Sequence, residues 1–528
     1  MTEELNQPIA RQEVCQTMFA TFRRLFLVAL AAAGLPATAS ADFPLIKQDH
    51  FTLTGQIYSR TDIISLSNTV DLDTSNKDDA STYLGIDYYF GLDLQFGDDG
   101  PQAYLKLQRN GPYGYDAPVF IHNALRTSIG PLERYNEEEL LPEVRELWVE
   151  APLGTSSVKI KGGRFGYSVG HGVAIGTAYE NYGLGVTGGK EGEGEVQWRF
   201  HYFYPDAANN SPWGPRVPQQ ADQLVDYEQG NTHLVALDAQ WGTEKNRLQP
   251  YLGFLYDRTA DKRSSVFAAP THNDLLGTAG ASWDATAGHW SVQLEGAHNF
   301  GRAESSDSEF KDVEHSGYLI YSGLTYDAGK TKPHARFILA SGNKVTTEMV
   351  DNGDTALVSG KNRAFSTYSP FNTNLFDAVS EPLTVGPIVA LGLGWGLNYG
   401  IDRPTTFGDA GILENLILPG VGFEHQCTDR LTMSWDWWYL QSFEPGIGTF
   451  DGASKELSPE LGQEVDLVLT YSVNEHAELG FSGGYFMPGN FYREERDDTG
   501  GSLLTPFIRG DGDADPAYQL ELSLTLRL

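Results

Sequence analysis

The stretch 460-ELGQEVDLVLTYSVNEHAELGFSGGYF-486 contains two runs in which apolar and polar side chains alternate, joined by a short turn. Such a period of two gives a β-strand one apolar face and one polar face. The pattern therefore predicts an antiparallel hairpin, either in a soluble β-sandwich or in the wall of a membrane barrel whose apolar face meets lipid. The apolar positions are Val465, Leu467, Leu469, Tyr471, Ala477, Leu479, Phe481 and Tyr485.

The composition excludes several classes of protein. Among 528 residues there are 70 acidic and 37 basic side chains, which give a formal net charge of -33. This surplus argues against nucleic acid as a partner, because phosphate groups are bound by clusters of Lys and Arg. The 58 glycines and the aromatic content of 12% favour turn-rich β structure. A hydrophobic content of 40% argues against a helical membrane protein.

The amino-terminal region has the pattern of a secretion signal. Arg23 and Arg24 precede the apolar run 25–35, and small residues before Asp42 offer a cleavage site. An apolar run of this length is too short to span a bilayer. We expect residues 1–41 to be a signal peptide. The long stretch before the basic pair contains Met18, which suggests that translation begins there.

Cleavage would leave residues 42–528 as a single barrel domain. Its one cysteine is Cys427, because Cys15 is removed with the signal, so no disulfide framework is expected. The first strand begins at Phe51, which leaves no room for a plug domain ahead of the barrel.

The same alternation recurs along the chain and predicts eighteen strands, an even number as in bacterial outer-membrane barrels. The run 383–399 is assigned to a loop, because counting it alone would break that parity. The predicted strands lie near residues 51–57, 84–96, 103–108, 143–152, 156–169, 178–189, 193–205, 231–242, 246–258, 274–286, 289–301, 315–328, 332–342, 411–426, 430–443, 460–474, 476–487 and 516–528.

The connections between these strands are sorted by length. Short turns follow every second strand, as at 97–100 and 286–288, and long polar loops follow almost all the others, as at 110–142 and 343–410. Short periplasmic turns and long outer loops are typical of a transmembrane antiparallel β-barrel in the bacterial outer membrane. The last strand alternates as far as Leu528, where such proteins commonly end in an aromatic residue. The loop 343–410 is expected either to enter the barrel as a constriction or to cap it.

Three stretches resemble the alginate-export family of outer-membrane barrels. They are the hairpin 460–491, the run 146–167 and the hairpin 316–343. The resemblance implies an eighteen-stranded passive or secretion pore for polysaccharide, although many members carry something other than alginate.

Selectivity in such a pore comes from side chains that face the water-filled lumen. Inward Arg and Lys would offset the charge of a polyuronate. An equally open interpretation is that these cations are paired with inward carboxylates, such as Glu146, Glu150, Asp238 and Glu295. The candidate pore-lining and substrate-binding residues are Lys106, Lys159, Lys161, Arg199 and Arg336, with Arg164 added if Gly162-Gly163 forms a bulge that shifts the alternation.

No enzymatic activity is predicted, because the histidines are scattered and the sequence contains no motif for a catalytic nucleophile, a phosphate-binding loop or a zinc site. No cofactor is expected; the acidic runs 494–498 and 511–515 are interpreted either as solvated loops or as calcium sites. The expected partners are outer-membrane lipid, lipopolysaccharide and the translocated solute, and a monomeric barrel is expected rather than a trimer.

Three functions remain open on the sequence. The first is a channel for an acidic or neutral polysaccharide or its fragments. The second is a general or selective diffusion porin for small solutes. The third is a structural or adhesive barrel whose loops bind a partner.

Overall fold

The computed structural model describes most of the chain between Phe43 and Arg527. Among these residues, no helix is long and apolar enough to cross a membrane. The predictions for the signal peptide (1–41), most of the loop 343–410 and Leu528 fall outside the described residues. The described ranges are 43–48, 51–67, 81–97, 100–113, 143–154, 157–175, 181–189, 195–204, 232–243, 245–257, 271–305, 311–344, 346–348, 360–365, 415–445, 447–450, 453–494 and 516–527.

Within the described residues, eighteen antiparallel strands form a wall that closes on itself. Closure occurs where the last strand, β23 (Ala517–Arg527), pairs with the first strand of the wall, β2 (Phe51–Ser67). The other wall strands are β3 (Ser81–Gln95), β4 (Gln102–Tyr113), β5 (Glu143–Pro152), β6 (Lys159–Phe165), β7 (Asn181–Gly189), β8 (Val196–Tyr204), β9 (Thr232–Thr243), β10 (Asn246–Asp257), β11 (Thr271–Ala287), β12 (Trp290–Ser305), β14 (Tyr318–Tyr326), β15 (Thr331–Ala340), β17 (Leu416–Gln426), β18 (Leu431–Ser442), β21 (Glu460–Asn474) and β22 (Ala477–Pro488).

Short elements complete the described structure. The strand β1 pairs with the start of β2, where Phe43 opposes Gly55, and Arg527 of β23 opposes Tyr58 a little further along. Because β3 occupies the other edge of β2, β1 continues the line of β23 along one edge. The short elements are β1 (Phe43–Gln48), β13 (Val313–His315), β16 (Lys361–Asn362), β19 (Ile447–Phe450), β20 (Ala453–Glu456) and the helical turn α1 (Asn490–Arg493).

The two faces of the wall differ in chemistry. Leu147, Leu184 and Trp241 point outward and are 53%, 57% and 56% exposed. Asp238 and Glu295 point inward and are each 2% exposed. Since successive side chains of a strand point to opposite faces, the outer surface forms an apolar belt suited to lipid and the interior is polar. The predicted fold class, a transmembrane antiparallel β-barrel of eighteen strands, is confirmed.

Each of the eighteen predicted strands corresponds to a wall strand, and the hairpin quoted first is β21–β22, with Val465 opposite Tyr485. The predicted end of one strand is wrong. The predicted strand 156–169 ends at Phe165, because the chain then leaves the wall. The short elements were not predicted, since a period of two cannot be recognised in so few residues.

Candidate functional site: the lumen and the segment within it

Residues 166–175 follow β6 and fold back against inward side chains of the wall; we call them the inner segment. Val173, Ala174 and Ile175 are each 0% exposed. The Val169 N–H donates to the Ile175 carbonyl over 3.1 Å, and the Gly172 N–H donates to the Val169 carbonyl over 2.8 Å. These two bonds close the segment into a tight loop.

Glu295 of β12 anchors the tip of this loop. Its Oε2 accepts the backbone N–H of His171 over 2.6 Å, and its Oε1 accepts the hydroxyl of Tyr251 over 2.7 Å. Gly170 has a φ of 56°, and a Cβ atom there would lie 2.6 Å from the same Oε2. Glycine is therefore required at this position for the loop to reach the carboxylate.

Asp238 of β9 holds the start of the inner segment. The Tyr167 hydroxyl donates to its Oδ2 over 2.6 Å, and Gln249 donates to its Oδ1 over 2.8 Å. Arg199 donates to the same carboxylate over 3.0 Å and to the Ser168 carbonyl over 3.2 Å. Burial raises the pKa of the Tyr167 phenol, and Asp238 raises it further, so the hydroxyl stays protonated and donates.

His171 packs under the same loop. Its ring lies 5.2 Å from the ring of Tyr321 on β14, and its Nε2 lies 3.8 Å from Oδ1 of Asp284 on β11. Burial lowers the pKa of the imidazole, although the Asp284 carboxylate acts to raise it. The neutral ring is therefore favoured.

The inner segment consequently contacts the wall from β8 to β14 and occupies part of the lumen. The alternation does not reveal it, because it predicts a strand as far as residue 169 and leaves only the brief connection 170–177 before the next predicted strand. The available signal was the loss of alternation after Phe165 together with three glycines at 166, 170 and 172.

The register places five of the six predicted basic residues on the inward face. Residues that are register partners on neighbouring strands point to the same face of the wall. Lys161 is paired in this way with Gly185, and Arg336 is paired with Gly323 on one side and Gly420 on the other. Arg336 is half-buried there. The five residues are Lys106, Lys159, Lys161, Arg199 and Arg336.

Arg164 lies on the outer face, contrary to the sequence prediction. Its register partners Leu147 and Tyr182 are 53% and 55% exposed. Gly163 has a φ of 133°, but the pairing continues without a shift, so the alternation is not reset. The guanidinium instead donates to the Val144 carbonyl over 2.7 Å and lies 5.7 Å from the Tyr182 ring.

Most inward cations are paired with carboxylates on neighbouring strands. Pairing of this kind leaves little free positive charge to attract an anion. Glu295 and Asp466, by contrast, are buried and form no ion pair among the described residues. The pairs are Lys106–Glu146 (3.9 Å), Lys159–Glu150 (3.2 Å), Arg199–Asp238 (3.0 Å), Arg247–Asp284 (2.8 Å) and Arg60–Glu521.

Lys161 differs from these cations. Its ammonium lies 3.5 Å from the ring centroid of Trp148 and 5.1 Å from that of Phe165. Within the described part of the chain it forms no hydrogen bond and no ion pair. Trp148 in turn packs 5.6 Å from Tyr104, ring to ring, so aromatic side chains line this part of the lumen.

The described residues contain no group of three or more His, Cys, Asp and Glu side chains that could hold a metal ion. Cys427 lies in a turn, with its Sγ 3.8 Å from the His425 carbonyl oxygen. The acidic positions 495–498 and 511–515, for which calcium was considered, lie outside the described residues.

Residues 397–505 match the family model for alginate export. This stretch includes the hairpin β21–β22, so the resemblance seen in the sequence is confirmed there; the runs 146–167 and 316–343 lie outside the match. A search of curated protein sequences returned no match.

Three solved structures of similar architecture each align with 90% of this chain. They are OccAB2 of Acinetobacter baumannii (9% identity, 97% of that chain, TM-score 0.49), a BenF-like porin of Pseudomonas fluorescens Pf-5 (9%, 99%, 0.49) and OccK11 (OpdR) of Pseudomonas aeruginosa (8%, 95%, 0.47).

A closed antiparallel barrel, an apolar belt and a polar interior define the class of this protein together with the match to an export family. The chain is a bacterial outer-membrane β-barrel, as the sequence predicted, and its fold and family match are those of a channel.

Proposed function

We propose that the barrel is a selective outer-membrane channel for saccharide chains or their fragments. The observation that carries this proposal is the inner segment, which is fixed at Glu295 and Asp238 and occupies part of a polar lumen. A solute that passes must then contact the side chains that line the rest of the wall. The match of residues 397–505 to alginate export supports a polysaccharide as the class of substrate. In this role the protein performs no bond chemistry.

A diffusion porin for small solutes is the second candidate. The same inner segment favours it, because a narrowed passage admits small molecules more readily than a chain of sugar rings. The two functions therefore differ in what reaches and occupies the lumen.

Single-channel conductance in planar bilayers distinguishes them. A saccharide channel is expected to conduct ions and to show transient closures when an oligosaccharide is added to one side. An oligosaccharide of about six or more units is chosen, because its length is on the order of the bilayer thickness that the barrel spans. Ion flow that oligosaccharides leave untouched would support the small-solute porin. Absence of conductance from correctly folded protein would contradict both and support a structural or adhesive barrel.

The partners remain predictions. Contact with lipopolysaccharide and a monomeric rather than trimeric state are proposed, and the mass of the detergent-solubilised protein by light scattering tests the second. A mass of three barrels would contradict the monomer.

A further inference from the structure

A cavity opens at the end of the barrel that carries the short turns, which in outer-membrane barrels is the periplasmic end. Its volume is about 420 Å³, a size suited to a small molecule. The turn between β21 and β22, the end of β23 and Arg430 from the turn before β18 line it. Solvent reaches it, because Arg430, Glu475 and Arg527 of its lining are exposed. We call it the turn cavity.

The strand residues that line the turn cavity point into the lumen. Ser472 of β21 opposes Glu478 of β22, which opposes Thr525 of β23, so the three form one row across the sheet. Their chain neighbours Tyr471 and Leu526 are each 41% exposed and belong to the outer belt. Because successive side chains alternate between the two faces, the row faces inward. A molecule at the periplasmic mouth of the lumen can therefore reach the cavity.

Two guanidinium groups in the cavity have donors to spare. Nη1 of Arg430 donates to the Val473 carbonyl over 3.3 Å, and the other side-chain N–H groups of Arg430 form no hydrogen bond among the described residues. Nη1 of Arg527 lies 3.9 Å from Oε2 of Glu478, which is a loose contact, and this arginine side chain is 52% exposed. A guanidinium presents five N–H donors in a planar fork that matches a carboxylate. The free donors suit an anion.

Two carboxylates at the same cavity limit the charge of that anion. Glu475 is 85% exposed and lies 3.2 Å from Nε2 of His476, and Glu478 is 31% exposed beside Arg527. With two arginines and two glutamates the formal charges cancel, so the cavity does not attract highly charged anions in general. It suits a molecule with one carboxylate, held directly against the guanidinium groups.

The remaining lining is polar and uncharged. The Ser472 hydroxyl and the Asn474 side chain line the cavity beside the arginines. Oδ1 of Asn474 accepts the backbone N–H of His476 over 2.8 Å, which leaves its amide nitrogen as a donor. A hydroxyl and an amide at this place suit hydroxyl groups on the ligand.

We propose that the turn cavity is a binding site for a small hydroxylated monocarboxylate at the periplasmic mouth of the barrel. Arg430 and Arg527 donate to its carboxylate, and Ser472 and Asn474 form hydrogen bonds with its hydroxyl groups. The site is separate from the inner segment and does not depend on which solute the barrel conducts.

The test is isothermal titration calorimetry on the full chain in detergent, with gluconate, sorbitol and inorganic phosphate as probes. Gluconate carries one carboxylate on a six-carbon hydroxylated chain, and sorbitol has the same chain without the carboxylate. We expect gluconate to bind, sorbitol to give no heat, and phosphate to bind more weakly than gluconate.

Three variants of the protein locate the site. Arg430→Gln is expected to weaken gluconate about tenfold, which corresponds to about 1.4 kcal/mol. Glu478→Gln is expected to strengthen it, because the change removes a negative charge and releases Arg527. Arg302→Gln is the matched control, since Arg302 lies on β12 and is paired with Asp312 at 3.4 Å.

The opposite signs expected for Arg430→Gln and Glu478→Gln separate binding from a general loss of structure. Absence of heat with gluconate, or equal affinity in the wild type and Arg430→Gln, overturns the site. Weaker binding in Glu478→Gln also overturns it. Equal binding of sorbitol, or tighter binding of phosphate, overturns the assignment of a monocarboxylate. Heat-dependent migration of each variant in a detergent gel establishes that its barrel has closed.

Discussion

The backbone N–H of His171 donates to Oε2 of Glu295 over 2.6 Å and joins two residues that are 124 positions apart in the chain. This bond ties the inner segment, which follows β6, to β12, and five wall strands (β7 to β11) lie between those two. The position of the loop tip within the lumen therefore depends on a side chain of a distant wall strand.

Removing that side chain should open the channel. Glu295→Ala leaves the His171 N–H and the Tyr251 hydroxyl without their acceptor, and docking of the inner segment should weaken by about 1–3 kcal/mol. We expect a larger and noisier single-channel current. Glu424→Ala, at an exposed ion pair with Lys332, is the control. Equal currents in the wild type and both variants would show that the inner segment does not limit flow.

A second test separates backbone strain from crowding. Gly170 and Gly288 have φ values of 56° and 62°, but a Cβ atom meets Glu295 at the first and nothing within 4 Å at the second. An L-residue in this conformation costs roughly 1–2 kcal/mol. Gly170→Ala should lower the stability of the protein by that amount and also displace the inner segment. Gly288→Ala should lower the stability alone. The idea fails if both alter the conductance alike.

Acid should loosen the inner segment. The pKa of His171 is lowered by burial from the ordinary value of 6.5, with Asp284 acting to raise it and Arg247 to lower it. Above pH 6.5 the ring is neutral whether docked or free; as the pH falls below that value, the free ring binds the proton more readily, so docking stability is lost. Tyr321 and Glu295 also face this site.

We therefore expect the current to rise as the pH falls from about 7 towards 5, the range in which histidine titrates. His171→Gln, which cannot take up the proton, should respond less. An identical acid response in this variant would assign the effect to other groups.

Ion selectivity should distinguish the inner face of the wall, where Arg199 lies on β8, from the outer face, where Arg164 lies on β6. Arg199→Met leaves Asp238 without its cation inside the lumen. The reversal potential in a salt gradient should therefore move towards the equilibrium potential of the cation. Arg164→Met should leave the reversal potential unchanged, because this side chain lies with Leu147 on the outer face. A shift with Arg164→Met would place its charge in the conducting path.

Much of the wall could be predicted from the sequence, because a period of two is a local property of each strand. The phase of alternation also placed Lys106, Lys161 and Asp238 correctly on the inward face. Arg164 was placed wrongly, since its face depends on whether Gly163 interrupts the pairing, and that is decided by the neighbouring strands.

The inner segment could not be predicted from local pattern. Its position depends on Glu295 and Asp238, which lie far along the chain. The alternation predicts that both side chains point inward, but it does not identify the residues to which they are hydrogen-bonded.

The line formed by β1 and β23 has a consequence for engineering the chain. Phe43 and Arg527 oppose Gly55 and Tyr58, three residues apart on one strand, a separation of roughly 10 Å at the usual rise per residue. A linker of a few residues could join these strands end to end, and new termini could be opened at an outer connection. A circular permutant of this design would retain every pairing of the wall.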